Sequence, residues 1–334
     1  MSQRKSSLSS SSPSTEARNP ASHNLDQLST LEILRRMNRE DARVAIAVRH
    51  EIPSIARAVE AIVSSIERGG RLIYVGAGSS GRIAVMDAAE CPPTFGISSQ
   101  TVRAVIAGGN RAVRAAVEGA EDSAVSGARD IAKLHVNSND AVVGIAASGG
   151  TPYVLGALRH ANSIGASTIG ITSNPRSPLA HAAGIAITPA TGPEILAGST
   201  RLKAGTAQKL VLNMLSTVAM IRLGHVYDNL MIDVAQTNHK LRRRSVSILV
   251  QATGTSESDA ARALMRSAGN LRVALVMLKT GASLHEARRH LKMARNDLRK
   301  ALGEFAGPKR PKQMTRSSQR RKIWLATCQS TKPR

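Results

Sequence analysis

Two carboxylates and three hydroxyl-bearing loops are the groups in this chain best placed by type and spacing to do chemistry. Glu90 lies in "GAGSSGRIAVMDAAECPPTFG", Gly76 to Gly96, which opens like a phosphate-holding turn and closes on an acid, a cysteine and two prolines. The run Ser80 to Ala89 reads as a helix. Pro92 and Pro93 should stop it, because the residue before a proline is pushed out of the helical region. Glu90 then sits near a helix C-terminus, where the negative end of the dipole disfavours a carboxylate and favours the protonated acid, a setting for a general acid. Glu121 follows Gly119 and precedes a helix from about Ser123. There the positive end of a dipole favours the ionised form, a setting for a general base. Two carboxylates driven apart in this way form a recognised acid/base arrangement. On position alone, the reading of both as ordinary helix-end residues is favoured, because helix N-termini routinely attract acids.

The loops share one chemistry. "GAGSSGR" follows a first strand, "ASGGTPY" a third, and "GPEILAGSTRLKAGT" comes after a fifth. Glycine lets the backbone approach a ligand closely. Hydroxyls and helix N-terminal amides then bind anionic oxygens. Ser79, Ser80, Ser148 and Thr151 are the hydroxyls expected at a phosphate, and Glu194, Ser199 and Lys203 are the candidates in the last loop. One such loop is common in any fold of this kind; three together point to a phosphorylated small ligand. A dinucleotide fits poorly, because the glycines fall at 76, 78 and 81 and the next helix leads into "ECPPTFG", and there is no GxxxxGK[ST]. His160, His181, His225 and His239 are scattered without metal spacing, and Cys91 has no partner base, so packing is its expected role. Lys203 and Lys209 could neutralise a phosphate or simply face solvent.

Five short apolar runs, at Arg71, Val102, Ala141, Ser167 and Gly184, must position these loops. Helical stretches separate most of them, at Arg111 to Val117, Ser123 to Leu134 and Pro152 to Ile164. The rhythm predicts an α/β fold: an open parallel sheet of about five buried strands with helices on both faces and ligands at the strand C-terminal ends. Helical spacing also runs from Leu31 to Met37 and from Asp41 to Arg68, where Pro53 should bend or interrupt it. Lys203 to Leu223 reads as a long apolar-faced helix. Three shorter patterns, Ser258 to Arg266, Asn270 to Lys279 and Ser283 to about Leu302, suggest a small C-terminal helical module.

Composition narrows the class. Hydrophobic residues are 42% but aromatics only 2%, so the core must be Ala, Val, Ile and Leu. The formal charge of +23 suggests nucleic acid, but from Arg288 onward there are 15 Lys/Arg against 2 Asp/Glu, so over half the excess sits in a short tail. Such a tail binds polyanions without specificity if at all, and Trp324 stands alone for base stacking. No apolar run approaches the roughly 18 residues of a membrane span, and Ser7 to Ser12 occupy the place of a signal peptide's apolar stretch. Two cysteines give neither a disulfide framework nor a metal site. A cytoplasmic protein is expected.

The strings "TEARNP", "GAGSSGR", "DAAECPPTFG", "VEGAEDS", "AASGGTPYV" and "GPEILAGSTRLKAGTAQKLVLNMLST" occur in order from about Thr15 to Thr217. In them the sequence closely resembles the N-acetylmuramic acid 6-phosphate etherases, a family on the sugar isomerase (SIS) fold. The resemblance continues more loosely to about Leu302. It implies cleavage of a D-lactyl ether by elimination and hydration, without a metal or organic cofactor, by a homodimer with sites near the subunit interface. The family's proton donor falls on Glu90 and its second acid on Glu121. It also implies an Arg more often than the Gly found at position 150, whose absence could weaken anion binding. A sugar-phosphate isomerase and a non-catalytic sugar-phosphate regulator on the same fold are the alternatives. The expected organisation is a disordered 1–23, an SIS domain over 24–235, a helical module over 240–303 and a basic disordered tail over 304–334, which matches nothing in the family.

Overall fold

The computed structural model describes residues 15–234 and 239–304. Three helices come first: α1 (Thr30–Asp41), α2 (Val44–His50) and α3 (Ile52–Glu67). Ser29 and Glu32 form a capping box at the start of α1. Pro53 lies in the first turn of α3, where its missing N–H leaves nothing unsatisfied, so the apolar run divides at Glu51.

The parallel sheet then alternates with helices. β1 (Leu72–Gly76) leads into α4 (Gly78–Phe95), and β2 (Val102–Ile106) into α5 (Gly109–Arg114) and α6 (Ala124–Lys133). β3 (Ala141–Ile145) leads into α7 (Pro152–Ser163), and β4 (Ser167–Ile171) into α8 (Pro178–Ala182), before β5 (Ile185–Ile187). The strand order is β2-β1-β3-β4-β5, all parallel, with Gly76 opposite Ile145 in the β1–β3 pair. β1 and β3 are buried along their whole length because they read as unbroken apolar runs, the pattern of a strand covered on both faces. The expectation of five buried strands is corrected at the edges. β2 and β5 have one neighbour each and are half-exposed.

One sheet face, with Tyr74, Val143 and Ile169, packs against α2, α3, α4 and α9 (Lys203–Arg222). The other, with Ile73, Val75 and Val142, packs against α6, α7 and α8. α9 spends most of its apolar face inside the chain and leaves Val218 and Ile221 exposed. A hairpin, β6 (Val226–Tyr227) with β7 (Leu230–Met231), follows. The last helices are α10 (His239–Thr253), α11 (Glu257–Arg266), α12 (Leu271–Thr280), α13 (Leu284–Met293) and α14 (Leu298–Ala301). They close a separate apolar cluster from Tyr227 to Leu298.

Four expectations need correction. Residues 15–23 are anchored at two points, the buried Thr15 and Asn19, and Asn19 Nδ2 donates to Glu40 Oε2 at 2.8 Å and to the Pro193 carbonyl at 3.0 Å. The helical module gains α10, whose "KLRRR" opening hides its apolar face. The pattern Ser283 to Leu302 breaks at Arg295 and Asn296, both left-handed. Glu304 is held by Tyr227, Lys279 and Arg299. The basic tail beyond Glu304 and the serine-rich start lie outside the described residues. Among the described residues no helix is long and apolar enough to cross a membrane.

Candidate active site

β1 and β3 are neighbours in space but not in sequence, and the chain leaves them towards opposite faces of the sheet. This is a topological switch point, where open α/β sheets leave a crevice for ligand beyond the strand ends. Two loops meet there, "GAGSSGR" from β1 and "ASGGTPY" from β3. The β1 turn is tight: a Cβ on Gly76 would lie 2.7 Å from Gly81 N, so only glycine permits the strand to turn directly into α4.

Of the helices that start from these loops, α4 begins after Ala77 and α7 after Thr151, neither with a side-chain cap. In α7, however, Pro152 has no N–H and the Tyr153 N–H already meets the Glu121 carbonyl, so the free first-turn donors are mainly those of α4. α1, α6, α8 and α11 to α14 are capped by their own Ser, Asn or Asp side chains, whereas α2, α3 and α5, like α4 and α7, are not. An uncapped N-terminus presents free N–H groups and the positive end of a dipole, which suits a phosphate. Ser79, Ser148 and Thr151 in these loops are half-exposed, and Ser80 is buried in the first turn of α4. Ser148 Oγ accepts the Gly150 N–H at 3.3 Å and keeps its own proton to donate.

Glu121 belongs to the same end of the sheet. Its carbonyl accepts the Tyr153 N–H at 2.9 Å, which ties it to the first turn of α7. It lines a cavity of about 210 Å³ with Gly78, Arg82 and Glu118. Ser123 caps α6 two residues on, so Glu121 precedes a helix N-terminus as the sequence suggested. Arg82 and Glu118, neither singled out beforehand, share this wall. Arg82 is anchored through the Ala112 and Ala115 carbonyls at 2.9 and 3.0 Å, partners that local sequence does not reveal.

Glu90 is placed differently from the sequence reading. α4 does not stop at the prolines; it runs through Pro92 and Pro93 to Phe95, with Gly96 as a left-handed cap. The physical reason is tertiary. Cys91 and Phe95 are buried in the core against α9, and this packing outweighs the proline penalty. Glu90 is therefore an exposed residue within the helix, twelve residues from Gly78 and about 18 Å along the axis. Within one chain it does not reach the cavity that Glu121 lines.

The turn beneath Glu90 is fixed by a buried polar cluster. Tyr74 Oη donates to Asp87 Oδ2 at 2.8 Å, and Ser216 Oγ on α9 donates to Oδ1 at 3.1 Å. Burial pushes the Asp87 carboxyl above its ordinary range. The Cys91 thiol donates to the Asp87 carbonyl, and burial with the nearby Asp87 charge pushes it up to about 12, so it packs rather than reacts.

The third loop divides its candidates. Ser199 is half-exposed in the loop. Glu194 is fully buried, and its carboxylate accepts the Lys203 and Ala204 N–H groups, both at 2.9 Å. It caps α9 from nine residues away, so direct ligand contact is corrected to a structural role. Lys203 is 1% exposed and its ammonium meets Glu40 on α1 at 2.5 Å rather than the switch point. Lys209 is exposed.

Residues 54–162 match glucokinase regulatory protein N-terminal SIS domains, residues 123–218 match SIS domains, and residues 228–272 match the C-terminal lid domain of glucokinase regulatory protein. An N-acetylmuramic acid 6-phosphate etherase of Aeromonas hydrophila is 53% identical over 281 residues, 84% of this chain and 94% of its own. The chain belongs to the N-acetylmuramic acid 6-phosphate etherase family. N-acetylmuramic acid 6-phosphate etherase 2 of Vibrio cholerae is 52% identical over 87% of this chain, and the etherase of Photorhabdus laumondii 52% over 83%. Identity at this level with etherases, across the sheet and into the helical module, does not favour the isomerase or regulator alternatives.

Proposed function

We infer that this chain cleaves the D-lactyl ether of N-acetylmuramic acid 6-phosphate with water, giving N-acetylglucosamine 6-phosphate and D-lactate in amino-sugar recycling. The observation that carries the reading is the uncapped N-terminus of α4 at the β1–β3 switch point, where Gly78 shares a cavity with Glu121. In this reading Ser79, Ser80, Ser148, Thr151 and Ser199 surround the 6-phosphate.

The chemistry then follows from the open-chain sugar. Its C1 aldehyde acidifies the C2 proton, which Glu121 removes. The electron pair forms a C2–C3 double bond as the C3–O bond breaks, and Glu90 donates its proton to the departing lactyl oxygen. Water adds to C3, C2 regains a proton from Glu121, and Glu90 recovers its own. Neither acid requires a metal for these steps.

A second copy of the chain supplies what one copy lacks. Glu90 sits on an exposed stretch of α4 beside Met86, which is 45% exposed, remote from Glu121 of the same chain. A cytoplasmic homodimer that lays this stretch over the partner's switch point would complete the site. Mixing tests the arrangement. Glu90→Gln and Glu121→Gln should each be inactive alone, and after dissociation and re-association the mixture should recover about a quarter of wild-type activity, because half the dimers are mixed and each has one intact site. No recovery on mixing would mean that both acids act within one chain.

A further inference from the structure

Arg82 ends the "GAGSSGR" motif one turn into α4, and its guanidinium is bonded to the backbone of another helix. Nε donates to the Ala112 and Val113 carbonyls at 2.9 and 3.3 Å, and Nη2 donates to the Ala115 carbonyl at 3.0 Å. These carbonyls lie at the C-terminal end of α5, where a helix leaves them without intrahelical partners. Among the described residues no other side chain donates to them.

α5 needs such a hold. It has six residues, fewer than an isolated helix requires to persist in water, and Ala112 is its one buried residue. Burying a single methyl group stabilises little, so the charge-assisted bonds from Arg82 are the main polar tie between α5 and α4. The chain then passes from Ala115 to Glu121. In that segment Val117 and Ala120 are half-buried and the rest is exposed. Its local backbone bonds, from the Ala120 N–H to Val117 and from the Asp122 N–H to Gly119, are both long at 3.3 Å. Its far end is fixed where the Tyr153 N–H meets the Glu121 carbonyl at 2.9 Å. The segment therefore hangs between two anchors. Tyr153 ties it to α7, and Arg82 ties it to α4. Arg82 and Glu121 line the same cavity of about 210 Å³.

We propose that Arg82 is a positioning residue for Glu121. By holding the end of α5, it sets where the Glu121 segment lies relative to the N-terminus of α4, and so to a 6-phosphate bound there. This rests on the reading of Glu121 as the base.

Arg82→Gln and Arg82→Lys are compared with the wild type and Glu121→Gln in lactate release and in amide hydrogen exchange. Arg82→Gln should lower kcat about 10–100-fold, the effect of moving a reacting group by about an ångström, with KM within about threefold of wild type. Arg82→Lys, which keeps the charge but lacks the planar fork, should recover part of that loss. Amides of 109–121 should exchange faster in Arg82→Gln, while those of β1, β3 and α9 keep wild-type protection. Faster exchange throughout the chain, or a raised KM with unchanged kcat, would overturn the proposal, because Arg82 would then serve the whole fold or hold the phosphate itself. So would wild-type kcat in Arg82→Gln beside an inactive Glu121→Gln, a result that leaves the base reading standing. Turnover retained by Glu121→Gln would remove the base reading and the proposal with it.

Discussion

Gly96, which ends the helix that carries Glu90, lies directly on Asp233. A Cβ at Gly96 would come within 2.2 Å of the Asp233 carbonyl oxygen, and its φ of 62° is left-handed. Asp233 is itself held from two sides. Arg272 on α12 donates to both its oxygens, and His225 Nδ1 meets Oδ2 at 2.8 Å. Arg272 also reaches the Gly224 and Asn296 carbonyls, at 2.8 and 2.6 Å. The end of α4 thus rests on a junction between the sheet domain and the helical module.

Gly96→Ala should therefore destabilise the protein by about 2–4 kcal/mol, the left-handed strain and the backbone collision together. Lactate release should fall more than substrate affinity, because the disturbed helix carries Glu90. Chemical denaturation and steady-state kinetics check both. A fully stable and fully active variant would mean that the end of α4 is not constrained by Asp233.

Acid should weaken the fold through Asp140 and Asp233. Asp140 is fully buried and accepts from the Arg71 N–H, Nε and Nη2 and the Asn137 N–H. Burial raises its carboxyl, but the Arg71 and backbone donors outweigh that and hold it below the ordinary value. Asp233 is likewise raised by burial and lowered further by Arg272 and His225. A depressed folded-state value gives stability that is complete above the unfolded value of about 4 and is lost as pH falls through the folded one. Asp87, raised by burial, acts with the opposite sign. The unfolding temperature should drop between about pH 5 and pH 3, and Asp140→Asn should flatten that slope while lowering stability at neutral pH. An equally steep slope in Asp140→Asn would remove Asp140 from the explanation.

Gly150 offers a test of the phosphate crevice. It is exposed, and a Cβ there meets only Ser148 Oγ at 3.8 Å, so a side chain fits without strain. Gly150→Arg should lower KM for the 6-phosphorylated sugar about 5–10-fold through a charge-assisted contact, with kcat little changed. An unchanged KM would locate the phosphate away from the "ASGGTPY" loop.

The sheet was readable because Val- and Ile-rich runs between glycine turns have few other ways to fold, and the capped helices α11 to α13 announce themselves by Ser or Asn before an apolar period. What stayed hidden depends on contacts distant in sequence. Local preference ends a helix before Pro92, but burial of Phe95 carries it on. Glu194 looks like a ligand until the N–H groups of α9 are found on it, and Lys203 until Glu40 appears 163 residues earlier. The position of Glu121 before a helix was legible from Gly119 and the Ser123 cap. The separation of Glu90 from Glu121 was not, because it follows from the full length of α4.

Release of D-lactate with Glu90 as the proton donor is open to one decisive assay. The direct measurement is enzymatic detection of D-lactate after incubating purified wild type and Glu90→Gln with N-acetylmuramic acid 6-phosphate. Lactate and N-acetylglucosamine 6-phosphate should form in equal amounts with the wild type, and the variant should be slower by roughly 10²–10⁴-fold with substrate binding retained. No lactate from the wild type would contradict the etherase reading, and a variant retaining more than about a third of wild-type turnover would contradict the role of Glu90.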